Sequence, residues 1–162
     1  MENLNFNLTK KSLEANEFEI IDFDHVRPWG GFFVIAEKQA QKFANVYFDG
    51  LDLSNLTIKG KLSPKILVVA PGKRLSWQYH HRRAELWRVV QGQAGVIRSE
   101  NDIQGELEIL NLGDLVTLKQ GERHRLIGLD DYAVIAEIWQ HTDLNHPSDE
   151  DDIVRVVDDF GR

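Results

Sequence analysis

Beyond Pro64 the chain is a succession of short β-rich runs: Lys65–Val69, Leu75–His80, Leu86–Val90, Gly95–Arg98, Leu107–Leu110, Leu115–Leu118, His124–Leu129 and Ala133–Trp139. Pro71-Gly72, Gly92, Gly105, Gly113, Gly121 and Gly128 punctuate them. Strands this short, at a spacing of roughly 8–12 residues, predict an antiparallel sandwich or barrel. A jelly roll is the economical closure for about eight strands. The expected class is therefore all-β. Before Pro64, Phe18–Phe23 and Phe32–Ile35 read as strands around an Arg27-Pro28-Trp29-Gly30-Gly31 turn. Ala36–Phe48 reads as a short helix, with apolar spacing at Phe43, Val46 and Tyr47. Gly50–Pro64 reads as a loop or hairpin insertion, and Ile153–Val157 as a strand or a short helix.

Composition removes several function classes. With 42% apolar and 28% charged residues in 162, the chain is neither wholly disordered nor membrane-spanning, since no apolar stretch approaches the ~20 residues a bilayer requires. It has no cysteine, which excludes disulfides, thiolate catalysis and Cys-type zinc sites. Met1–Lys11 is polar where a signal peptide would be apolar, so the expected compartment is the cytoplasm. The net charge of −7 is unevenly spread: residues 141–162 carry −5, while Lys59–Arg88 carries +7 against the single acid Glu85. A local basic segment in an acidic protein suits a small anion better than a nucleic acid.

The segment Pro71–Trp87 carries the chemistry. Side chains alternate faces along a strand, so Gln78 and His80 share one face and Trp77 and Tyr79 the other. Glu85 opens the next strand and can face back toward the pair. Gly121-Glu122-Arg123-His124 presents another histidine at a strand start. Two nitrogen and two oxygen ligands can thus converge inside a small barrel. Donors of this kind suit zinc, and also Mn, Fe, Co or Ni.

This spacing resembles the cupin superfamily. Gly72, Gln78, His80, Glu85 and Gly92 fall on its first motif, with Gln in place of the first His. Gly113, Gly121 and His124 fall on its second, with Lys119 for Pro and Gly128 for Asn. Arg27-Pro28-Trp29-Gly30, the run from Pro71 to Gly92, Gly121-x-x-His124-Arg125-Leu126 and Glu150–Arg155 resemble, more narrowly, the type II mannose-6-phosphate isomerase cupin. In that family the module is often the C-terminal part of a larger enzyme with a mannose-1-phosphate guanylyltransferase domain, for which this chain has no room. The resemblance covers Lys65–Arg162 and, more thinly, Arg27–Ile35; the first 26 residues and Glu37–Pro64 fall outside it.

The resemblance implies one cupin jelly-roll barrel (a double-stranded β-helix) over residues 1–162, with an N-terminal arm to residue 26, a helical insertion at 37–64, a core barrel at 65–140 and a closing segment at 141–162. It implies one divalent metal on Gln78, His80, Glu85 and His124, zinc first. The family usually reads Q-x-H-x-H-R-x-E-H-W, and here Arg82 and Leu86 replace the last two histidines. We therefore expect an intact ligand set and an altered pocket wall. The implied activity is aldose–ketose isomerisation of a phosphorylated sugar, mannose 6-phosphate to fructose 6-phosphate in the first instance. The open alternatives are a non-catalytic sugar-binding cupin, or an enzyme on another phosphosugar or a nucleotide-linked sugar. Glu137, a charge in an apolar strand, is the first candidate for proton transfer and Lys65 the second. Arg125, Ser76 and Arg82 are the candidate substrate-binding residues. His25, His81, His141 and His146 read as surface residues. Expected partners are a small sugar phosphate and a second copy in a homodimer, with residues 1–26 and 37–64 as arms; no nucleic acid or membrane is expected.

Overall fold

The architecture is known from a computed structural model, which describes residues 3–56, 61–143 and 145–161. Thr57–Gly60, within the expected insertion and including the basic Lys59, lie outside the described residues, as does Arg162. Two antiparallel sheets form the body. The first has the order β1 (Ile20–Arg27), β2 (Gly30–Ile35), β3 (Lys65–Val69), β10 (Ala133–His141), β5 (Arg83–Gln91), β8 (Leu115–Leu118). The second runs β11 (Val154–Val157), β4 (Trp77–Tyr79), β9 (Arg123–Gly128), β6 (Ala94–Ser99), β7 (Leu107–Leu110). The fold is an all-β jelly roll, as the strand spacing implied.

The continuous apolar runs of β3 and β10 have a physical cause: both strands are buried on both faces. Leu67, Val69, Ala133 and Ile135 point between the sheets, into a core shared with Trp87, Val96, Leu118 and Leu126. Ile66, Val68, Val134, Ala136 and Ile138 point the other way, into a second core. That outer face must be covered, and two helices cover it. Helix α2 (Ala40–Tyr47) supplies Ala40, Phe43 and Ala44, inside the window read as helical. Helix α1 (Leu4–Ala15) supplies Phe6 and Leu13, with the Phe6 ring stacked on Phe33 at 4.1 Å. The Asn3 side chain caps α1, accepting from the amides of Asn5 and Phe6.

The described part of the expected arm, residues 3–26, thus lies on its own barrel as α1 and β1. Strand β1 is the sheet edge and leaves Ile21, Phe23 and Val26 exposed. Of Ile153–Val157, residues Val154–Val157 form a strand, β11, paired to β4.

Gly30 is where the N-terminal hairpin meets the barrel. Its φ is +143°, and a Cβ there would stand 1.9 Å from the Val68 carbonyl oxygen. That conformation is almost confined to glycine and costs other residues about 1–3 kcal/mol before any clash. Gly30→Ala should therefore lower the free energy of unfolding, read by urea titration, by at least that amount. Gly113→Ala, at φ +87° with nothing within 4 Å, should cost less. Equal midpoints for the two variants would refute the close approach.

Candidate metal centre

Three strands and one turn bring the predicted ligands together. His80 follows β4, Glu85 lies on β5 and His124 on β9. All three side chains are buried, and one ligand atom from each lies within 4.8 Å of the others. His80 Nε2 is 3.0 Å from Glu85 Oε1, and His124 Nε2 is 3.5 Å from Glu85 Oε2. Gln78 stands directly across from His124 in the β4–β9 register and lines a cavity together with Glu85. The Ser76 hydroxyl donates to its Oε1.

The histidine tautomers follow from their outer bonds. His80 Nδ1–H donates to the Asp152 carbonyl at 2.7 Å, and His124 Nδ1–H to the Glu122 carbonyl at 3.0 Å. Both rings therefore turn an Nε2 lone pair toward the Glu85 carboxylate. His124 Nε2 and Glu85 Oε2 are buried with no hydrogen-bond partner. Acceptors left facing one another in a dry site call for a cation between them. Tetrahedral ligands about 2.0–2.2 Å from one ion stand roughly 3.4 Å apart, close to the separations found here. The residues fit a divalent metal, held by His80, Glu85 and His124 with Gln78 beside them.

Burial opposes ionisation of Glu85, but His80, His124 and Arg83 outweigh it and hold the carboxyl well below its ordinary range. It is an anion ready to bind a cation. Arg83 has a structural share in this. Its Nε donates to Glu85 Oε1 at 3.0 Å, and its Nη1 donates to Ser148 Oγ and the Asp149 carbonyl. Its guanidinium lies 3.8 Å from the Trp139 ring centroid. The sequence reading passed over Arg83 for Arg82, although Arg83 and Glu85 share strand parity and that signal was available.

Asp152 was also missed. Its carboxylate accepts from the amides of His81 and Arg82 and from the Ser148 hydroxyl. The closing segment is thereby tied to the turn that carries His80.

A cavity of about 390 Å³ opens beside the ligands. Glu137 and Lys65 line it and face each other across β10 and β3. Trp87 Nε1 donates to Glu137 Oε1 at 3.0 Å. Burial first, and the neighbouring Glu85 carboxylate second, push the Glu137 carboxyl up to about 8. Lys65 Nζ bonds Glu150 Oε1 at 2.8 Å. Ser76 lines the cavity as well.

Other expected residues lie elsewhere. Arg125 is fully buried away from the cavity lining, donating to the Leu75 carbonyl and to Asp159. Strand parity is the reason: His124 faces in, so its neighbour faces out. Arg82 does not line the cavity either and sits 3.5 Å from Asp149. Leu86 corrects the expectation of an altered wall, because it points into the core beneath α1 and α2. His25, His81 and His146 are exposed. His141 is not: its Nδ1 accepts from the Ser148 amide, and its Nε2–H bonds the Lys61 carbonyl.

The family model for the C-terminal region of mannose-6-phosphate isomerase matches residues 37–158. The chain belongs to that family. The match takes in Glu37–Pro64, which the motif reading left outside. A xanthan biosynthesis protein of Xanthomonas campestris, XanB, is 31% identical over 137 residues, covering 84% of this chain and 23% of that protein. A mannose-1-phosphate guanylyltransferase of Salmonella montevideo is 29% identical over 154 residues, covering 94% of this chain and 26% of the other. The chain thus spans about a quarter of the length of these curated relatives. Among solved structures, the capsular polysaccharide assembling protein CapF of Staphylococcus aureus matches 85% of this chain and 34% of its own, at a TM-score of 0.54 and 16% identity. That likeness is one of fold.

For this member of the mannose-6-phosphate isomerase C-terminal family, three outcomes follow. His124→Ala and Glu85→Gln should each lose bound metal by elemental analysis, and metal retained in both would remove the site. Asp152→Ala keeps the carbonyl that bonds His80 but releases the His81–Arg82 turn from the carboxylate, and should weaken metal affinity by less than the about 10–100-fold that loss of a ligand's own outer partner costs. Arg125→Ala should leave metal content unchanged while lowering stability by about 1.5–3 kcal/mol, the range for a hydrogen bond to a charged group, read from the denaturant midpoint.

Proposed function

We propose that the protein is a metal-dependent aldose–ketose isomerase of a phosphorylated sugar, with mannose 6-phosphate and fructose 6-phosphate as the first pair to test. The observation that carries this reading is a buried carboxyl group, Glu137, that lines one cavity together with Glu85 of the His80–Glu85–His124 cluster. Membership of a family described by mannose-6-phosphate isomerase supports the substrate class. Zinc suits the mixed nitrogen and oxygen donors of Gln78, His80, Glu85 and His124.

Isomerisation moves a proton between adjacent carbons through an enediol. A bound divalent metal would supply Lewis acidity toward the carbonyl and enediolate oxygens. Glu137 would take the proton from one carbon and return it to the next, its Oε1 fixed by the Trp87 indole. Lys65, cross-strand from Glu137, would hold the developing charge on a substrate oxygen. Ser76 would contact a sugar hydroxyl in addition to orienting Gln78. Trp29, Phe32 and Trp87 would exclude water along the apolar wall.

The test is a coupled assay that consumes fructose 6-phosphate as it forms from mannose 6-phosphate, with and without chelator. Turnover lost on chelation and restored by zinc or manganese is expected. Glu137→Gln should lower kcat by about 10²–10⁴-fold with bound metal retained. Tight sugar-phosphate binding without turnover in the metal-loaded wild type would overturn the isomerase and leave a binding module.

A further inference from the structure

Four cations line the cavity: Arg27, Lys65, Arg83 and Arg155. Three of them are already engaged. Arg83 is bound to Glu85, Ser148 and the Asp149 carbonyl. Lys65 is bound to Glu150 at 2.8 Å, and Arg27 to Asp24 at 3.0 Å. Among the described residues, Arg155 is the lining cation with no hydrogen bond, ion pair or ring contact.

Its place in the sheet gives that freedom a direction. Arg155 on β11 stands directly opposite Gln78 on β4, and Gln78 stands opposite His124 on β9. Residues directly opposite in antiparallel strands put their side chains on the same face, with Cβ atoms roughly 4.5–5.5 Å apart. Arg155, Gln78 and His124 therefore form one row on the cavity face. The row begins at the metal-binding cluster and ends at an exposed guanidinium. Ile153, two residues earlier, also lines the cavity, which confirms the facing of this stretch.

We propose that Arg155 is the anchor for the phosphate group of the substrate. This rests on the reading of the substrate as a phosphorylated sugar. The row runs about two strand spacings, close to 10 Å, from His124 to Arg155, a span that the reach of an arginine shortens. That suits a six-carbon sugar whose reacting end lies at the metal and whose phosphate lies at the mouth.

The charge balance agrees. Of the lining carboxyls, Glu85 is bonded to Arg83 and Glu150 to Lys65, so those two cations are already matched within the wall. The attraction must be local, and the unengaged guanidinium supplies it. Arginine presents several donors in a fixed fork that matches phosphate oxygens, and no internal ion pair has to break first. Lys65 would first have to leave Glu150.

The experiment is isothermal titration of metal-loaded protein with mannose 6-phosphate, and separately with inorganic phosphate, on wild type, Arg155→Met, Arg155→Lys and Lys73→Met. Lys73 is exposed and does not line the cavity, so its variant controls for net charge. Arg155→Met should weaken mannose 6-phosphate binding by about 10–150-fold, the loss of a hydrogen bond to a charged group. Bound metal should stay constant by elemental analysis. Arg155→Lys should recover part of the affinity, and Lys73→Met should match wild type. Competition by inorganic phosphate should weaken in Arg155→Met alone.

Equal affinity of Arg155→Met and wild type would overturn the anchor, as would an equal loss in Lys73→Met or a wild type that binds neither ligand. Turnover is read separately. Binding that depends on Arg155 without turnover refutes the isomerase and keeps the anchor. Turnover with binding that ignores Arg155 does the reverse.

Discussion

The buried Glu85 carboxylate is the interaction around which this molecule is arranged. It ties together both sheets, since Glu85 lies on one and His124 on the other. It also meets Arg83, which carries the contact on to the closing segment. A carboxylate without water is costly unless it is paired and its lone pairs are satisfied. Arg83 satisfies one oxygen, and the other is left without a partner. A cluster serving stability alone would be better replaced by well-packed apolar side chains. An incomplete buried ionic group instead marks a place where a ligand is meant to bind.

The segment after residue 141 is part of this arrangement. The Asp152 carbonyl selects the His80 tautomer, and its carboxylate holds the turn that carries His80. Ser148 is bonded to Arg83, Asp152 and His141 together. The acids that make this end of the chain strongly negative therefore have distinct roles: Asp152 organises the ligand shell, Glu150 holds Lys65, and Asp159 neutralises Arg74 and Arg125. Asp159 is drawn below the usual carboxylate range, chiefly by its hydrogen bond from Arg74. Its contribution to stability is thus present above a pH of about 4 and fades as the pH falls through the lower folded value.

Local patterns carried most of what could be read without coordinates. Alternation put Gln78 and His80 on one face, the connection to the next strand let Glu85 face back toward them, and the two motifs in register joined His80 to His124 across some forty residues. Helix α1 escaped because Leu4, Phe6 and Leu8 alternate with Asn5 and Asn7, a strand-like period in a polar stretch. Tertiary packing of Phe6 and Leu13 decides it. The role of Asp152 escaped because its decisive bond to His80 uses a backbone carbonyl, an atom every residue has. His141 escaped because strand β10 runs two residues past Trp139, carrying that ring into the dry junction with Ser148.

Strand β5 shows how far alternation can be taken. Arg83, Glu85 and Trp87 face the cavity, while Leu86 faces the helices. The family pattern has a histidine where Leu86 stands, a difference that would bear on the substrate only from the cavity face. On the outer face its partners are apolar, including Phe43 and Ile138. A histidine buried among them would need a hydrogen-bond partner, whereas leucine packs without one. The departure at Leu86 is therefore coupled to the helical layer and not to the cavity. The same parity separates Arg82 from Arg83: one residue's shift along the chain takes a cation from the rim of the closing segment to the carboxylate at the centre. In a barrel this small, the distinction between cavity and outer core is a matter of odd and even positions, and family differences acquire chemical meaning only once that parity is fixed.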